Sequence, residues 1–284
     1  IKMIPDEPAL LLRTRRERVL VIPDLHLGFE KAFVERGIAF PSQTEKLFSR
    51  IRRLVQSHRP GRLVFLGDIK HGTSIIHPHE WKEVPRFFER LLKLVDRVDV
   101  IPGNHDGDLD RLLPRKVALA SVRGLIIEDG RKKISLVHGH AWPGPESFGC
   151  EELIMGHHHF TIMLRDSSGL RSFEPVWVVA RWNRRKSAAS FLKSMGIRTP
   201  DPIRFFRKNF GVSIKNPRII VMPTFNQTAG ARAINRKETY STYLRPIFKS
   251  GLVDIRNSEL YMLDGTYLGR LSHVVDMMDH DGKQ

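Results

Sequence analysis

Short hydrophobic runs rich in β-branched residues recur along the first half of the chain, and each is followed by a turn of Gly or Pro with Asp, His or Asn. The runs occupy residues 18–22, 62–66, 98–101, 134–137 and 152–155. Helical periodicity covers residues 47–55, after a capping box of Ser42 and Glu45. A second helical stretch covers residues 79–95, where Pro85 marks a kink or a late start. Strands alternating with helices predict an α/β fold.

The pattern changes after residue 160, where hairpin-like strands replace the alternation of strand and helix. Strands are predicted at residues 161–165, 170–174, 176–180 and 218–222, with a last pair within 260–271. A short helix-like piece covers residues 243–250. These elements predict a second sheet.

The most basic part of the chain is the segment 181–218, which we call the basic block. It holds eleven Lys and Arg residues, one acid, Asp201, and four interleaved phenylalanines at positions 191, 205, 206 and 210. One interpretation is a surface that follows phosphates and stacks bases on its aromatic rings. The other is an amphipathic helix pair whose phenylalanines pack inward and whose basic side chains are solvated. Both interpretations can hold together.

Composition narrows the class of protein. The 284 residues are 41% hydrophobic, enough for a buried core and inconsistent with disorder. The single cysteine, Cys150, excludes an intrachain disulfide and a thiolate metal cluster, and it favours a reducing compartment. No apolar run approaches the roughly 18 residues of a membrane span, so we expect a cytoplasmic protein without a membrane partner. The net charge of +16 favours polyanionic partners.

We expect one domain over residues 1–275, with a basic helical insertion at about 181–217 and a frayed tail at 276–284. The sequence contains no internal repeat. Nothing in it indicates a homo-oligomer, although one remains compatible with it.

Five polar motifs follow the predicted strands, and together they hold eight of the thirteen histidines. Alone, each motif is typical of a surface pair or a turn. Five in succession at strand ends predict a functional site. The motifs are Asp24-Leu25-His26, Gly67-Asp68-Ile69-Lys70-His71, Gly103-Asn104-His105-Asp106, His138-Gly139-His140 and Gly156-His157-His158-His159.

Carboxylate, amide and imidazole donors without sulfur suit manganese, iron, zinc or magnesium. Two such ions about 3.5 to 4 Å apart clamp the attacking and leaving oxygens of an in-line displacement at phosphorus. A bridging carboxylate is needed to hold two dications so close together. Asp24 and Asp68, with a neutral Asn104 and histidines, leave a net positive centre that still attracts phosphate.

The order of these motifs resembles the calcineurin-like metallophosphoesterase superfamily. The chain is most similar to archaeal phosphoesterases related to the SbcD-type repair nucleases, and it is also similar to the bacterial branch associated with DNA ligase. The resemblance implies an α/β fold, a four-layer αββα sandwich of two mixed sheets, with a dinuclear metal site at the carboxyl ends of the strands. It also implies two divalent ions, with manganese favoured.

Position by position, the resemblance implies the following ligands: Asp24, His26 and His159 for the first metal, Asn104, His138 and His157 for the second, and Asp68 as the bridge between them. His158 fills the variable place of its motif. Alternation in an extended segment puts residues 157 and 159 on one side, so we expect His158 to point away.

Three further residues receive catalytic roles from the resemblance. His105 touches the scissile phosphate and protonates the leaving oxygen. Asp106 beside it fixes the tautomer of His105 and raises its pKa. His71 matches a second histidine that the repair-nuclease branch carries after its Gly-Asp.

Substrate contacts are less sharply indicated. Lys70 meets a substrate phosphate or is a solvated turn lysine, and His140 holds a ligand or phosphate oxygen or makes a structural hydrogen bond. In the basic block, Arg184, Arg185 and Lys186 are candidates for DNA contact.

We expect a phosphoesterase that hydrolyses phosphodiester bonds in DNA by means of a metal-bridging hydroxide. One alternative is a phosphomonoesterase or cyclic-nucleotide phosphodiesterase with small substrates. The other is a catalytically weak nucleic-acid-binding protein, which the complete set of ligands argues against.

Overall fold

The first sheet is built from the strand runs that precede the polar motifs. The computed structural model describes residues 1–73, 76–166, 168–236, 246–248 and 251–275. The strands of this sheet, in spatial order, are β1 (Lys2–Met3), β2 (Leu10–Arg13), β3 (Arg18–Pro23), β4 (Arg62–Leu66), β5 (Arg97–Ile101) and β6 (Val117–Leu119). From β3 to β6 they run parallel, whereas β1 and β2 pair antiparallel. The sheet is therefore mixed, and β3, β4 and β5 end at the same edge.

Three helices follow strands of this sheet: α1 (Lys31–Val34), α2 (Thr44–His58) and α3 (Glu80–Leu91). The predicted apolar stripe within 47–55 is the buried face of α2. The predicted capping box is wrong, because the helix starts at Thr44 with Gln43 as its cap residue. The late start predicted for the second helix is also wrong, since α3 runs through Pro85.

The second sheet contains the remaining strands: β7 (Leu125–Asp129), β8 (Lys132–Val137), β9 (Glu152–Met155), β10 (Phe160–Arg165), β11 (Arg171–Arg181), β12 (Arg218–Val221), β13 (Arg232–Ala233), β14 (Glu259–Met262) and β15 (Tyr267–Arg270). Its order is β13-β10-β11-β12-β9-β8-β7, and β14 joins β11 to β15. The two strands predicted at 170–174 and 176–180 are one strand. Pro175, which lacks a backbone donor, lies where β11 changes its partner from β10 to β14.

The buried hydrophobic residues form three clusters: one outside the first sheet, one between the two sheets and one outside the second sheet. Alternate residues of β3, such as Val21 and Ile22, face opposite sides of the first sheet. Val21 packs between the sheets with Trp177 of β11, while Ile22 packs under α2 and α3. The outer face of the second sheet packs against α4 (Arg184–Ser194) and α5 (Pro202–Asn209). The predicted αββα arrangement of two mixed sheets is confirmed.

The basic block forms the helix pair that one interpretation predicted. Phe191 and Phe206 are buried, and Phe205 and Phe210 pack partly buried against the same cluster. They are therefore core residues and not stacking surfaces.

The extent of the single domain stays a prediction. The tail at 276–284 and most of the helix-like piece at 243–250 lie outside the described residues. Among the described helices, none has the length and apolar character that a bilayer span requires.

Candidate metal centre

The five motifs meet because the strands that precede them are parallel. Asp24 and His26 follow β3, Asp68 follows β4, and Asn104 follows β5 in the first sheet. In the second sheet, His138 follows β8, while His157 and His159 follow β9. The carboxyl ends of both sets come together at one end of the sandwich.

Two groups of donor atoms lie there, each within 4.8 Å. One group contains Asp24, His26, Asp68 and His159, and the other contains Asp68, His138 and His157. Asp68 belongs to both. Its Oδ2 atom lies 3.5 Å from His26 Nε2 and 3.4 Å from His138 Nε2.

When His138 is neutral, as a metal ligand must be, the donor atoms of the second group present converging lone pairs. His138 Nδ1 donates to the carbonyl oxygen of Leu66 at 2.6 Å, which leaves its Nε2 as an acceptor. That Nε2 lies 3.2 Å from Asn104 Oδ1 and 3.1 Å from His157 Nδ1. Acceptors that converge in this way repel one another unless a cation lies among them. The donor set therefore fits a hard or borderline divalent metal ion.

The first group has the same character. His159 Nδ1 donates to the carbonyl oxygen of Gly230 at 3.1 Å. Its Nε2 then faces His26 Nε2 at 3.3 Å and Asp24 Oδ1 at 3.7 Å. In each group one imidazole, His138 or His159, thus has a backbone carbonyl acceptor that fixes the tautomer with Nε2 free for a metal.

The buried carboxylates Asp24 and Asp68 attract positive charge to the centre, which shows in the pKa values around them. Burial alone raises the pKa of Asp68, but the charge and hydrogen bond of His138, with the charge of His26, hold it well below its usual range. Burial lowers the pKa of His138, yet the charges of Asp68 and Asp24 outweigh burial and raise it to about 9. The attraction that holds a proton there is equally an attraction for a metal cation.

The backbone of the site is strained. Five of the seven predicted ligands have positive φ angles: Asp24 (47°), His26 (45°), Asp68 (49°), His157 (71°) and His159 (48°). Side-chain-bearing residues adopt this left-handed conformation rarely, at a cost of about 1 kcal/mol or more each. Such strain is typical of functional sites and persists only where surrounding contacts enforce it.

A loop that follows β12 supplies some of those contacts. The backbone oxygen of Asp24 accepts hydrogen bonds from Thr224 Oγ1 at 3.1 Å and from the Asn226 amide at 3.2 Å. The buried side chain of Asn226 donates to the carbonyl oxygen of Leu25 at 2.9 Å. From its sequence, the segment 223–230 resembles a loop near the site in the ligase-associated branch, with a simple turn as the alternative. These contacts place it at the site.

The three predicted catalytic residues lie beside these groups. The His105 amide donates to Asp68 Oδ1 at 2.9 Å, and the ring centroid of His105 lies 4.8 Å from that of His26. His71 stacks on His105 with centroids 5.4 Å apart, and its Nδ1 lies 3.4 Å from His26 Nδ1. His26, His71 and His105 thus form a further group of donors within 4.8 Å.

The role predicted for Asp106 is wrong. The Nδ1 atom of His105 lies 2.6 Å from the carbonyl oxygen of His71, so that carbonyl fixes the tautomer. Asp106 is buried and accepts backbone hydrogen bonds from Ile69 at 2.9 Å and Gly103 at 2.8 Å. Burial and the charge of Asp68 raise its pKa to about 6. Through these hydrogen bonds, the Asp106 carboxylate links the loop after β4 to the loop after β5.

Of the predicted substrate contacts, Lys70 is contradicted by the structure. Its side chain is fully buried and its Nζ donates to the carbonyl oxygen of Gly72, so it is neither solvated nor open to a phosphate. His140 lies against His138 with centroids 5.1 Å apart, and its buried Nδ1 has no partner among the described residues. Arg184, Arg185 and Lys186 are exposed on the first turn of α4.

His158 points away from the donor groups, as expected. Its ring is buried and stacks on Phe160 with centroids 5.1 Å apart. The expected reason is wrong, because the left-handed angles of His157 and His159 show that the segment is not extended.

A family model for calcineurin-like phosphoesterases matches residues 17–213. The chain belongs to this family. Membership makes it a metal-dependent phosphoesterase, hence a hydrolase, and the donor groups described above are its candidate metal centre. The particular branch within the superfamily stays a prediction.

Three solved structures are similar to the chain. A nuclease MPE from Pseudomonas putida is 18% identical with a TM-score of 0.48, over 90% of this chain and 97% of that one. The phosphoesterase Yfce from E. coli is 19% identical with a TM-score of 0.34, over 55% and 76%. A novel archaeal phosphodiesterase is 12% identical with a TM-score of 0.32, over 55% and 81%. No curated protein sequence matches the chain.

Proposed function

We propose that this calcineurin-like phosphoesterase hydrolyses phosphodiester bonds in DNA at a centre of two divalent cations, manganese by preference. The ions would be held by Asp24, His26 and His159 on one side, by Asn104, His138 and His157 on the other, and by Asp68 between them. The observation that supports this most directly is Asp68 Oδ2, within 3.5 Å of a histidine of each group. Ions bound there supply Lewis acidity, which neutralises phosphate oxygens and lowers the pKa of a bound water.

His105 is the proposed acid for the leaving oxygen. With its Nδ1 proton donated to the carbonyl oxygen of His71, the ring exposes Nε2 as the atom that holds and delivers a proton. The hydrogen bond from its amide to Asp68 ties its position to the proposed bridging carboxylate. Its half-buried position leaves the ring open to a substrate.

Support for DNA as the substrate comes from charge. The chain has a net charge of +16, and the basic block contributes eleven cations. Lys215 and Arg218 of this block pair with Glu151 and Glu152. The other cations of the block form no ion pair with a described residue, so they can neutralise backbone phosphates and release counterions.

The test is the manganese-dependent turnover of four substrates: an aryl monoester, an aryl diester, single-stranded DNA and double-stranded DNA. We expect DNA and the diester to be cleaved. His105→Asn should retain both metals and lose about 10²- to 10⁴-fold in kcat, the usual contribution of a general acid. Asp68→Asn should lose metal as well as activity.

Asp110→Asn is the matched control, because it removes an exposed carboxylate outside the donor groups. Metal content is measured by atomic emission beside each rate. Unchanged DNA cleavage in His105→Asn or Asp68→Asn would refute the assigned roles. Turnover of the monoester alone would show that the centre belongs to a phosphomonoesterase.

A further inference from the structure

Three phenylalanines form a continuous series of ring contacts in the segment that follows Asp24 and His26. Phe33 of α1 stacks on Phe40, with centroids 5.2 Å apart and planes 25° apart. Phe29 meets Phe33 edge-on at 5.3 Å. Phe29 also meets His71 edge-on at 5.0 Å. The series therefore starts at the proposed catalytic centre and runs outward along the segment.

These rings are not part of the hydrophobic core. Among the described residues, none of the three contributes to the buried clusters that hold the sheets and helices together. All three are half-buried, and on the same segment Val34 and Ile38 are 50% and 51% exposed. Apolar surface that a fold leaves outside its core, beside polar groups, is typical of a binding site.

His71 contacts both the aromatic series and the proposed acid His105. Its ring stacks on His105 at 5.4 Å, and it meets Phe29 on another side. A group attached to a phosphate beside His105 would therefore lie close to Phe29 and Phe33. Arg36 on the same segment is balanced by the exposed Glu35 beside it, so the flat apolar rings and not charge distinguish this surface.

We propose that Phe29, Phe33 and Phe40 form an aromatic platform that stacks the nucleobase next to the scissile phosphodiester. The inference rests on the proposed phosphodiesterase function and specifies its substrate as a base-bearing nucleotide chain. A nucleobase offers a flat π-face of the right kind, and one base stacked on aromatic side chains changes affinity by roughly tenfold or more. A substrate without a base has nothing to place there.

The test compares two single-stranded oligonucleotides of equal length, one of thymidines and one with abasic tetrahydrofuran residues throughout. Phe33→Ala should raise KM for the thymidine oligonucleotide about tenfold, leave kcat within about twofold, and leave KM for the abasic one unchanged. Phe33→Tyr should restore the wild-type KM. Phe173→Ala is the matched control, because Phe173 is a 50% exposed phenylalanine on β11.

A binding measurement keeps this inference separate from the proposed function. An oligonucleotide carrying 2-aminopurine is bound with calcium in place of manganese, and its fluorescence is followed. Quenching by the wild type that Phe33→Ala and Phe40→Ala abolish supports the platform even if no DNA is cleaved, in which case only the proposed function fails. Absence of quenching, or an equal rise in KM for both oligonucleotides, overturns the platform.

Discussion

Two glycines of the motifs, Gly103 and Gly156, lie in close contact with carboxylates of the site. A Cβ atom on Gly103 would overlap the carboxylate and the backbone nitrogen of Asp68. A Cβ atom on Gly156 would lie 2.5 Å from Asp24 Oδ2. Each glycine therefore leaves room for a carboxylate that follows another strand: β4 of the same sheet for Gly103, and β3 of the other sheet for Gly156. The motif pattern shows that a glycine stands at each position, but it does not show that a carboxylate occupies the space of a side chain.

Gly103→Ala tests the point directly. The added methyl group must push Asp68 aside, and Asp68 is the carboxylate common to both donor groups. We expect manganese affinity to fall by about 10- to 100-fold, as for other changes that misplace ligands, with a parallel loss of activity. Titration calorimetry with manganese measures the affinity.

Gly61→Ala serves as the control for this substitution, because its Cβ atom meets nothing within 4 Å and its backbone is not left-handed. If Gly103→Ala binds manganese as tightly as Gly61→Ala does, the carboxylate is not held against the glycine.

At the residue scale, short motifs after the strands predict the side chains of the site. All seven proposed ligands lie in such motifs, and the structure brings them to one centre. The predictions for Lys70 and Asp106 are wrong, because both side chains bond to backbone atoms. Lys70 bonds to Gly72 in its own loop, and Asp106 bonds to Gly103 in its own loop and to Ile69 in the loop after β4. Residue type and spacing do not specify which backbone groups a polar side chain will reach.

At the element scale, strands with a continuous buried run were predicted well. The predicted strands at 62–66 and 152–155 coincide with β4 and β9. The hydrophobic pattern did not predict β2, whose buried run of leucines contains no β-branched residue. It also did not predict the edge strands β1, β6, β7 and β13, which have two to five residues each and are exposed in part. Such edge strands form because a neighbour offers hydrogen bonds, and their own sequence shows little periodicity.

The first turn of α4 carries three cations at an electrostatically unfavourable place. Arg184, Arg185 and Lys186 directly follow the N-cap residue Asn183, where the helix dipole disfavours positive charge. A sequence selected for helix stability alone would place acids there. Their position thus favours a role in binding a polyanion.

Replacing all three with Gln should therefore weaken DNA binding without destabilising the fold. The slope of log K against log salt should become shallower by up to about 0.9 for each lost phosphate contact. Fluorescence anisotropy over a range of salt concentrations gives the slope, and thermal unfolding checks that stability is retained.

The same loss of charge at the exposed residues Arg13, Arg15 and Arg16 provides the control for this triple variant. Identical slopes for the two triple variants would mean that only net charge matters and that α4 is not a DNA contact.

At the scale of the whole molecule, the candidate centre joins the two sheets. Donors that follow β3, β4 and β5 come from the first sheet, and those that follow β8 and β9 come from the second. The alternation of strands and helices predicted both sheets. It could not predict their alignment, which depends on the packing of Val21, Trp177 and their neighbours between the sheets.

Because the proposed ligands come from both sheets, metal binding should stabilise the whole fold. The unfolded chain lacks the assembled site, so a metal at a hundred times its Kd adds about 2.7 kcal/mol to the free energy of unfolding. For a protein of this size, that energy corresponds to a rise in Tm of roughly 5 °C. We expect calorimetry to show this rise when manganese replaces EDTA in the wild type and in Asp110→Asn.

Asp68→Asn should lose most of the rise in Tm, because it weakens both donor groups at once. Its Tm in EDTA should fall below that of the wild type. The charged Asp68 carboxylate, whose pKa His138 and His26 hold low, stabilises the metal-free fold and accepts a hydrogen bond from the His105 amide. A wild-type Tm that is the same in EDTA and in manganese would show that the groups from the two sheets do not share metal ions, whatever activity the protein has.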